Sequence, residues 1–460
     1  MNSIQQLFAD CLSADEILTD NHRIHHLLTD QRGRYHGSAD VVLQPESVSS
    51  VQKILNLCSQ HSISVTPQGG NTSLCGAATP EKGVLLLLHR LNRIREINAT
   101  DAVITVEAGA ILADVQQAAK RAGWFFPLSL ASEGSCQIGG NLACNAGGLN
   151  VVRYGTASAL TLGLEVVLPD GSLISHLSPL HKNTTGLNLL PLFIGSEGTL
   201  GVITAATLKL FRLHEETTAT LWVNVPHLHQ CLDLLRLMRQ LCGEKIKTFE
   251  LISENALSLV THDLGTQSPT GDVSGWHILC EWEETSAEEI QQIAQCLLEN
   301  GYNNTLLAQN QQQRQHWWRL REHISQAQKK YGFSIKHDIA LPINRLVDFI
   351  ESNIAKIQHH FPQAEVILFG HLGDGSLHYN VFLPNHLDQS VYQFEQEINE
   401  LVYASVLDHQ GTIAAEHGIG VLKRAYLTQM KTPVELALMQ AIKRQLDPKN
   451  IMNPNKVYPF

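Results

Sequence analysis

The sequence predicts an α+β protein of two or three domains, and three observations support this. The chain has 460 residues, which is long for a single domain, and 43% of them are apolar. Over roughly the first 210 residues, β-rich runs alternate with Gly-rich turns, which fits an α+β or an α/β domain. From about residue 216 onward, longer helical patterns lie between short strands, which favours a second domain built from a sheet and helices.

Three strands and one helix are predicted in the first part of the chain. The strands cover 102–109, 162–171 and 200–210, where β-branched and other apolar residues dominate. The helix covers 47–61, where apolar residues recur with helical spacing. It begins at Ser47, a residue type that caps helix N-termini.

Six helices and two strands are predicted in the second part. The helices cover 226–242, 286–300, 311–330, 344–360, 389–409 and a final segment from Thr432, and the strands cover 276–283 and 365–371. Ser286 and Glu289 form a capping box. The final helix has Thr432 as its cap, proline at its first position and Glu435 at its third.

Charge and composition exclude several classes of protein. The net charge of −11 argues against binding to nucleic acid or to an anionic membrane surface. Nine cysteines without a CxxC motif indicate a reducing compartment. The first 20 residues contain no Lys or Arg, and the apolar run 83–89 is only as long as a strand. We therefore expect a soluble, cytoplasmic protein.

Three glycine-rich loops within one stretch of the chain suggest a cofactor. They are 67–77 (PQGGNTSLCGA), 132–148 (SEGSCQIGGNLACNAGG) and 192–204 (LFIGSEGTLGVIT). Small residues let backbone N–H groups approach a phosphate. The first loop has neither GxGxxG nor GxxxxGK[ST], and taken alone it fits a plain surface loop equally well. Together the loops predict an extended ligand with a pyrophosphate, held mostly by backbone.

The stretch FGHLGDGSLHYNV (369–381) predicts a hairpin that carries two histidines. Gly373 and Gly375 favour a turn, which would bring His371 and His378 together across two strands. Asn380 lies two residues beyond His378 and therefore on the same face. Two close imidazoles with a carboxylate would suit Zn²⁺, Mn²⁺ or Fe²⁺.

The stretch TIAAEHGIGVLKR (412–424) offers that carboxylate in Glu416, next to His417. Gly418 and Gly420 permit an irregular backbone, in which both side chains reach one pocket. The alternative is that the histidines lie on a surface turn and that 412–424 is a polar loop.

Cationic residues lie between 317 and 342. Arg321 and Ser325 are four residues apart on a predicted helix and share a face, and Lys336 lies in a strand-like stretch. Helical Arg and Lys side chains usually face water, and that reading stays open for these residues.

The motifs resemble those of a known family. PQGGNTSLCG, IGGNLACNAGG…RYG and IGSEGTLGVIT resemble the flavin motifs of the vanillyl-alcohol oxidase superfamily, also known for its PCMH-type FAD-binding domain. GHLGDGSLHYNV and EHGIG resemble metal and catalytic motifs of its D-2-hydroxyacid dehydrogenase branch. The resemblance runs from about residue 35 to the end. It implies an N-terminal helical segment (1–34), an FAD-binding domain (35–215), an α+β cap domain (216–410) and a C-terminal segment (411–460) that returns to the flavin.

The resemblance also implies a cofactor site. FAD would contact Gly69, Gly70, Asn71, Thr72, Ser73, Gly139, Gly140, Asn145, Gly147, Val202 and Ile203. Some relatives bind flavin covalently through a histidine in the first loop. Because 67–77 contains no histidine, we expect non-covalent FAD.

For the reaction, the resemblance implies that His371, His378 and Glu416 bind the metal and that His417 takes the hydroxyl proton. Arg321, Ser325, Lys336 and Asn380 would bind the substrate, although the family has Thr in place of Ser325. Two cations favour a diacid, such as D-2-hydroxyglutarate or D-malate, over D-lactate or glycolate.

Three alternatives stay open: a D-lactate or glycolate dehydrogenase, a metal-free alcohol or aldonolactone oxidase, and a flavin-binding protein without catalysis. An electron-transfer flavoprotein or a quinone would accept the electrons, and a homodimer is one expected assembly.

Overall fold

The computed structural model describes residues 3–214, 217–283 and 285–459, which form two compact units. The first unit draws on Met1–Gly147, Gly155–Leu213 and Glu416–Phe460. The second draws on Gly148–Tyr154 and His214–Ala415. The predicted N-terminal segment 1–34 therefore belongs to the first unit, and the short stretch 148–154 belongs to the second.

The helices and strands are numbered in chain order. The α-helices are α1 (Ser3–Ala9), α2 (Asn21–Leu27), α3 (Val48–His61), α4 (Leu112–Arg121), α5 (Ile138–Ala143), α6 (Val151–Tyr154), α7 (Leu190–Phe193), α8 (Leu228–Cys242), α9 (Glu254–Leu264), α10 (Ala287–Glu299), α11 (Gln311–Tyr331), α12 (Leu346–His360), α13 (Glu395–Asp408), α14 (Leu427–Met430) and α15 (Pro433–Leu446). The strands are β1 (Ile17–Leu18), β2 (Val41–Leu43), β3 (Val65–Gln68), β4 (Val84–Leu87), β5 (Ile94–Asn98), β6 (Val103–Glu107), β7 (Trp124–Phe125), β8 (Thr161–Val167), β9 (Leu173–His176), β10 (Val202–Lys209), β11 (Phe211–Arg212), β12 (Ala219–Val225), β13 (Ile246–Ser253), β14 (Trp276–Trp282), β15 (Thr305–Leu307), β16 (Ile335–Ala340), β17 (Glu365–His371) and β18 (Ser376–Phe382).

Within the described residues, the first unit contains three sheets. One has four strands in the order β1-β2-β4-β3, and its β2, β4 and β3 run parallel. A second has five antiparallel strands in the order β5-β6-β10-β8-β9, and β11 pairs with β7 in a third. These sheets confirm the three predicted strands, although β8 ends at Val167, before the turn at Gly171.

Helix α3 confirms the prediction for 47–61 and shows why the sequence identifies it. The Ser47 hydroxyl accepts a hydrogen bond from the backbone N–H of Ser50 at 3.1 Å, so Ser47 caps the helix. The apolar face of α3 packs into a core shared with the strands of the four-stranded sheet, and its residues include Val51, Ile54 and Leu55.

One part of the second glycine-rich loop is helical, so the prediction of a loop over all of 132–148 is wrong. Helix α5 begins at Ile138 and contains Gly139, whose N–H donates to the Ala108 carbonyl at 2.7 Å. A Cβ on Gly139 would lie 2.6 Å from the Ala108 Cβ. A glycine is needed because two backbone segments touch here.

The C-terminal segment from Glu416 belongs to the first unit. Met452 forms a parallel bridge with Val65 on β3. The N–H of Val421 donates to the carbonyl of Cys75 at 2.8 Å, which ties the segment to the first glycine-rich loop.

The second unit is built on one seven-stranded antiparallel sheet in the order β15-β12-β14-β13-β17-β18-β16. Helices α9 and α11 cover one face, and their apolar residues pack with Trp222, Ile252 and Phe369 of the sheet. The predicted helices here are confirmed, with one correction for 389–409. That stretch is a 3-10 helix (Gln389–Phe394) followed by α13, and the Phe394 backbone (φ −95°, ψ 1°) separates them.

Among the described residues, none of the helices is both long enough and apolar enough to cross a membrane.

Candidate active site

Strands β17 and β18 form the predicted hairpin. Phe369 lies opposite His378 and His371 lies opposite Ser376, so the two histidines are diagonal neighbours on one face. Their ring centroids are 5.8 Å apart. Gly375 turns the chain with φ +89°. The hairpin therefore brings both imidazoles to one side of the sheet, as the sequence predicted.

Glu416 completes a group that could hold a metal ion. One ligand atom from each of His371, His378 and Glu416 lies within 4.8 Å of the others, and no second trio of this kind occurs in the described part of the chain. Thr412 forms a bridge with Ala340 of β16, which anchors the backbone that leads to Glu416. Two imidazoles and one carboxylate suit a divalent transition metal and leave a position for a further ligand.

Glu250 on β13 is a functional candidate that the sequence analysis missed. Its carboxylate is fully buried, and its Oε1 lies 2.7 Å from the Nδ1 atom of His371. Its Oε2 accepts a hydrogen bond from Arg321 Nε at 2.8 Å. Burial opposes ionisation, but the interactions with His371 and Arg321 outweigh it and lower the pKa of Glu250.

This contact determines which nitrogen of His371 is available. An ionised carboxylate only accepts hydrogen bonds, so Nδ1 of His371 carries the proton. The lone pair of a neutral His371 is then on Nε2, the atom left to bind a metal.

On helix α11, Arg321 and Ser325 were predicted to share a substrate-binding face, but they differ in burial. Arg321 is 5% exposed, and its Cζ lies 4.9 Å from the centroid of the Phe369 ring. Its Nη2 lies 2.7 Å from Glu250 Oε2 but makes no hydrogen bond among the described residues. Ser325 is exposed. Arg321 is thus a buried cation paired with Glu250, and the role predicted for Ser325 stays a prediction.

Asn380 and Lys336 lie opposite each other on β18 and β16, in the row next to that of His378. The Asn380 side-chain amide donates to Gln328 Oε1 of α11 at 2.9 Å. Gln328 is 1% exposed, and its Nε2 has no hydrogen-bond partner among the described residues. Gln328 is a second polar residue that the sequence analysis missed, because one glutamine in a long polar helix gives no signal.

In the first unit, the loop that begins at Gly69 has the geometry of an anion site. The backbone N–H groups of residues 69–74 donate no hydrogen bond within the described chain. Asn71 has φ +51°, and its side chain donates to the Thr29 carbonyl at 2.9 Å. A run of unpaired N–H groups in a half-buried loop fits a pyrophosphate.

The residue beside this loop supports a cofactor there. Gln137 Oε1 is buried and has no donor among the described residues, and it lies 3.5 Å from where a Cβ on Gly69 would be. A Cβ on Gly140 would meet nothing within 4 Å. Open space and an orphaned acceptor are what a bound cofactor would use.

The other predicted flavin residues have structural contacts of their own. Asn145 adopts φ +52° and accepts a hydrogen bond from the Ser158 N–H at 2.9 Å. Gly147 is buried at the end of the first unit's loop. Val202 and Ile203 are buried on β10, and Val202 belongs to the core around α3. Their contacts with FAD stay predictions.

Glu197, in the third glycine-rich loop, holds the segment after His417. Its carboxylate accepts hydrogen bonds from the N–H groups of Ile419 (2.7 Å) and Gly420 (2.8 Å). Burial raises the pKa of Glu197 to about 7, despite these bonds and the nearby Lys423. Gly420 has φ +53°, so the backbone is irregular here, as predicted.

Two family descriptions match the chain. Residues 39–176 match the FAD binding domain, and residues 214–457 match the C-terminal domain of FAD linked oxidases.

Curated proteins with similar sequences cover nearly the whole chain. A probable mitochondrial D-2-hydroxyglutarate dehydrogenase of Oryza sativa subsp. indica is 35% identical over 98% of this chain and 81% of its own length. The D-2-hydroxyglutarate dehydrogenase of Stutzerimonas stutzeri is 32% identical over 96% of both chains. A putative mitochondrial D-lactate dehydrogenase of Schizosaccharomyces pombe is 34% identical over 93% of this chain and 83% of its own.

Among solved structures, p-cresol methylhydroxylase with substrate bound has the same fold. The TM-score is 0.79 over 99% of this chain and 96% of the other, with 14% sequence identity.

Proposed function

The chain belongs to the FAD-linked oxidase family, and from this premise we propose that it is an FAD-dependent dehydrogenase that oxidises D-2-hydroxyglutarate to 2-oxoglutarate. The observation that carries the proposal is the face of the second unit's sheet. That face carries His371 and His378 of the candidate metal trio, and the buried Arg321 lies against its Phe369 ring. A 2-hydroxy diacid has the groups that such a face would bind.

Two bound groups would supply the chemistry that side chains lack. When bound, FAD would supply a hydride acceptor for the α-carbon, and a divalent metal would supply a Lewis acid that makes the substrate hydroxyl more acidic. The unpaired N–H groups at 69–74 support FAD binding, and the lack of a histidine in 67–77 supports non-covalent attachment. For the metal, we infer Zn²⁺, or alternatively Mn²⁺ or Fe²⁺, held by His371, His378 and Glu416.

The chain itself must move the hydroxyl proton, and we assign this role to His417. It is half-buried and directly follows Glu416 in the chain. An imidazole is suited to accept a proton near neutral pH. The bonds from Glu197 to Ile419 and Gly420 restrict the backbone immediately after it, which limits the positions that the ring can adopt.

Binding of the second carboxylate falls to the cationic side chains. Arg321 supplies a buried guanidinium beside the Phe369 ring, and Lys336 adds a positive charge from β16. Asn380 is oriented by Gln328 and would contact the substrate as a polar group, and exposed Ser325 would add a hydroxyl. Two cations for two carboxylates favour a diacid over lactate.

The setting of the enzyme completes the proposal. We place it in the cytoplasm, with an electron-transfer flavoprotein or a quinone as the electron acceptor and a homodimer as the assembly. The net charge of −11 and the nine free cysteines support the compartment.

The test compares Arg321→Met, Lys336→Met and the control Arg319→Met, which removes an exposed arginine from the same helix. Each change keeps an apolar stem and removes the charge. Loss of a charge-assisted hydrogen bond should lower kcat/KM for D-2-hydroxyglutarate about 10- to 100-fold in the first two variants. The control should keep wild-type turnover.

A D-lactate dehydrogenase is the second candidate, because the S. pombe relative carries that name. The results would favour this candidate if wild-type protein turns over D-lactate at least as efficiently as every D-2-hydroxy diacid. Arg321→Met and Lys336→Met would then lose turnover of all substrates equally. Both cations would then serve the single carboxylate.

A further inference from the structure

Glu250 touches two residues that the proposed reaction uses separately. One oxygen bonds to His371, a proposed metal ligand, and the other bonds to Arg321, which is proposed to hold the distal carboxylate. All three side chains are buried, at 5% exposure or less. Each of them also lies on a different element: β13, β17 and α11.

These contacts fix both neighbours in orientation. The bond to Nδ1 sets the tautomer and ring plane of His371. The Nε bond, together with the Phe369 ring 4.9 Å from Cζ, sets the plane of the Arg321 guanidinium. A single carboxylate therefore determines how a metal ligand and a substrate-binding cation are placed relative to each other.

We propose that Glu250 is a positioning residue that couples the metal site to the recognition of the second carboxylate, an inference that rests on the proposed function. The distance between the metal ligand His371 and the carboxylate-binding Arg321 then depends on the side chain of Glu250. Its removal should weaken metal binding and diacid preference together.

Glu281 offers a matched control for Glu250. Glu281 on β14 is also buried, at 2% exposure, and it accepts hydrogen bonds from Arg314 and Trp318. Within the described chain its hydrogen bonds and ion pair do not involve His371 or His378, so Glu281→Gln controls for the loss of a buried charge in the same sheet.

The decisive variant is Glu250→Gln. His371 Nδ1–H and Arg321 are both donors, but an amide offers one acceptor oxygen and a nitrogen that is itself a donor. Glutamine can therefore satisfy only one of the two neighbours. The overall shape of the side chain stays the same.

The experiment measures three quantities on purified, FAD-containing protein: flavin content, the Zn²⁺ dissociation constant by chelator competition, and KM for D-2-hydroxyglutarate and D-lactate. We expect Glu250→Gln to keep its flavin, to weaken Zn²⁺ binding about 10- to 100-fold and to raise KM for the diacid more than for lactate. Glu281→Gln should keep the wild-type Zn²⁺ dissociation constant and the wild-type ratio of KM values.

If Glu250→Gln does not fold, Glu250→Asp replaces it, because it keeps the buried charge and withdraws the oxygens by one methylene. We expect the same loss of metal affinity with normal flavin content. If the folded Glu250 variant keeps the wild-type Zn²⁺ dissociation constant, the inference about Glu250 is wrong, but the proposed function stands. Wild-type protein that binds no divalent metal and oxidises no D-2-hydroxy acid would overturn the proposed function, and the inference with it.

Discussion

At the scale of single residues, His371 is the most informative position in the second unit. It belongs to the candidate metal trio and is also bonded to Glu250. Its strand lies in a sheet that is separate from the sheets around the glycine-rich loops. Loss of its imidazole should therefore affect metal binding without affecting the flavin.

We predict that His371→Ala loses bound divalent metal and turnover together while the flavin absorbance spectrum is retained. Two ligands hold a divalent ion far less tightly than three. Metal analysis, an activity assay and an absorbance spectrum check this. His359→Ala, which removes an exposed histidine, should match wild type. Unchanged metal content and turnover in His371→Ala would rule out the site.

Glu197 should make stability depend on pH. Because its pKa is raised by burial to about 7, the folded state holds the proton more tightly than the unfolded state does. The contribution of Glu197 to the free energy of unfolding is fully present below about pH 4.5, and it is lost as the pH rises through about 7. A pKa shift of this size corresponds to a change of about 3 kcal/mol in the free energy of unfolding.

We predict that the thermal unfolding midpoint of wild type falls from pH 5 to pH 8.5 by several degrees more than that of Glu197→Gln, which cannot ionise. Differential scanning fluorimetry across this range measures both profiles. Parallel profiles would show that Glu197 does not titrate in this window.

At the scale of elements, the β17–β18 hairpin depends on its turn. Gly375 has φ +89°, and a Cβ there would lie 2.2 Å from the carbonyl oxygen of Leu341. Gly271 also has a positive φ, +77°, but a Cβ there would meet nothing within 4 Å. Substitution of Gly271 by alanine therefore tests the cost of a positive φ alone. Substitution of Gly375 tests that cost together with a steric clash.

We predict that Gly375→Ala lowers metal affinity and destabilises the protein by more than about 1 kcal/mol, because the turn must shift and the histidines shift with it. Gly271→Ala should cost no more than about 1 kcal/mol and leave metal affinity unchanged. Thermal melts and metal titrations measure both. Equal effects from the two variants would mean that the turn does not position the histidines.

The elements also show what the sequence could predict. The caps at Ser47, Ser286 and Thr432 locate three helices, because capping is encoded locally. The glycines of the hairpin predict that His371 and His378 meet. Nothing local could identify Glu250, because its partner lies 121 residues away and their contact arises from the order of strands in the sheet.

At the scale of the whole molecule, the chain contains a unit that matches the FAD binding domain and a second unit whose sheet carries His371 and His378 of the candidate metal trio. The first glycine-rich loop has no histidine that could tether the flavin. We predict that acid or heat denaturation releases FAD into the supernatant. Chromatography of the supernatant identifies it, and flavin that stays with the precipitated chain would contradict non-covalent binding.

The central claim is that this flavoprotein oxidises D-2-hydroxyglutarate. The most direct measurement is the flavin spectrum of the metal-loaded protein, without oxygen, after addition of one hydroxy acid at a time. We predict that D-2-hydroxyglutarate bleaches the oxidised flavin band faster than D-lactate does, and that L-2-hydroxyglutarate leaves the band unchanged. An unchanged band with D-2-hydroxyglutarate, in protein that contains both FAD and metal, would contradict the account.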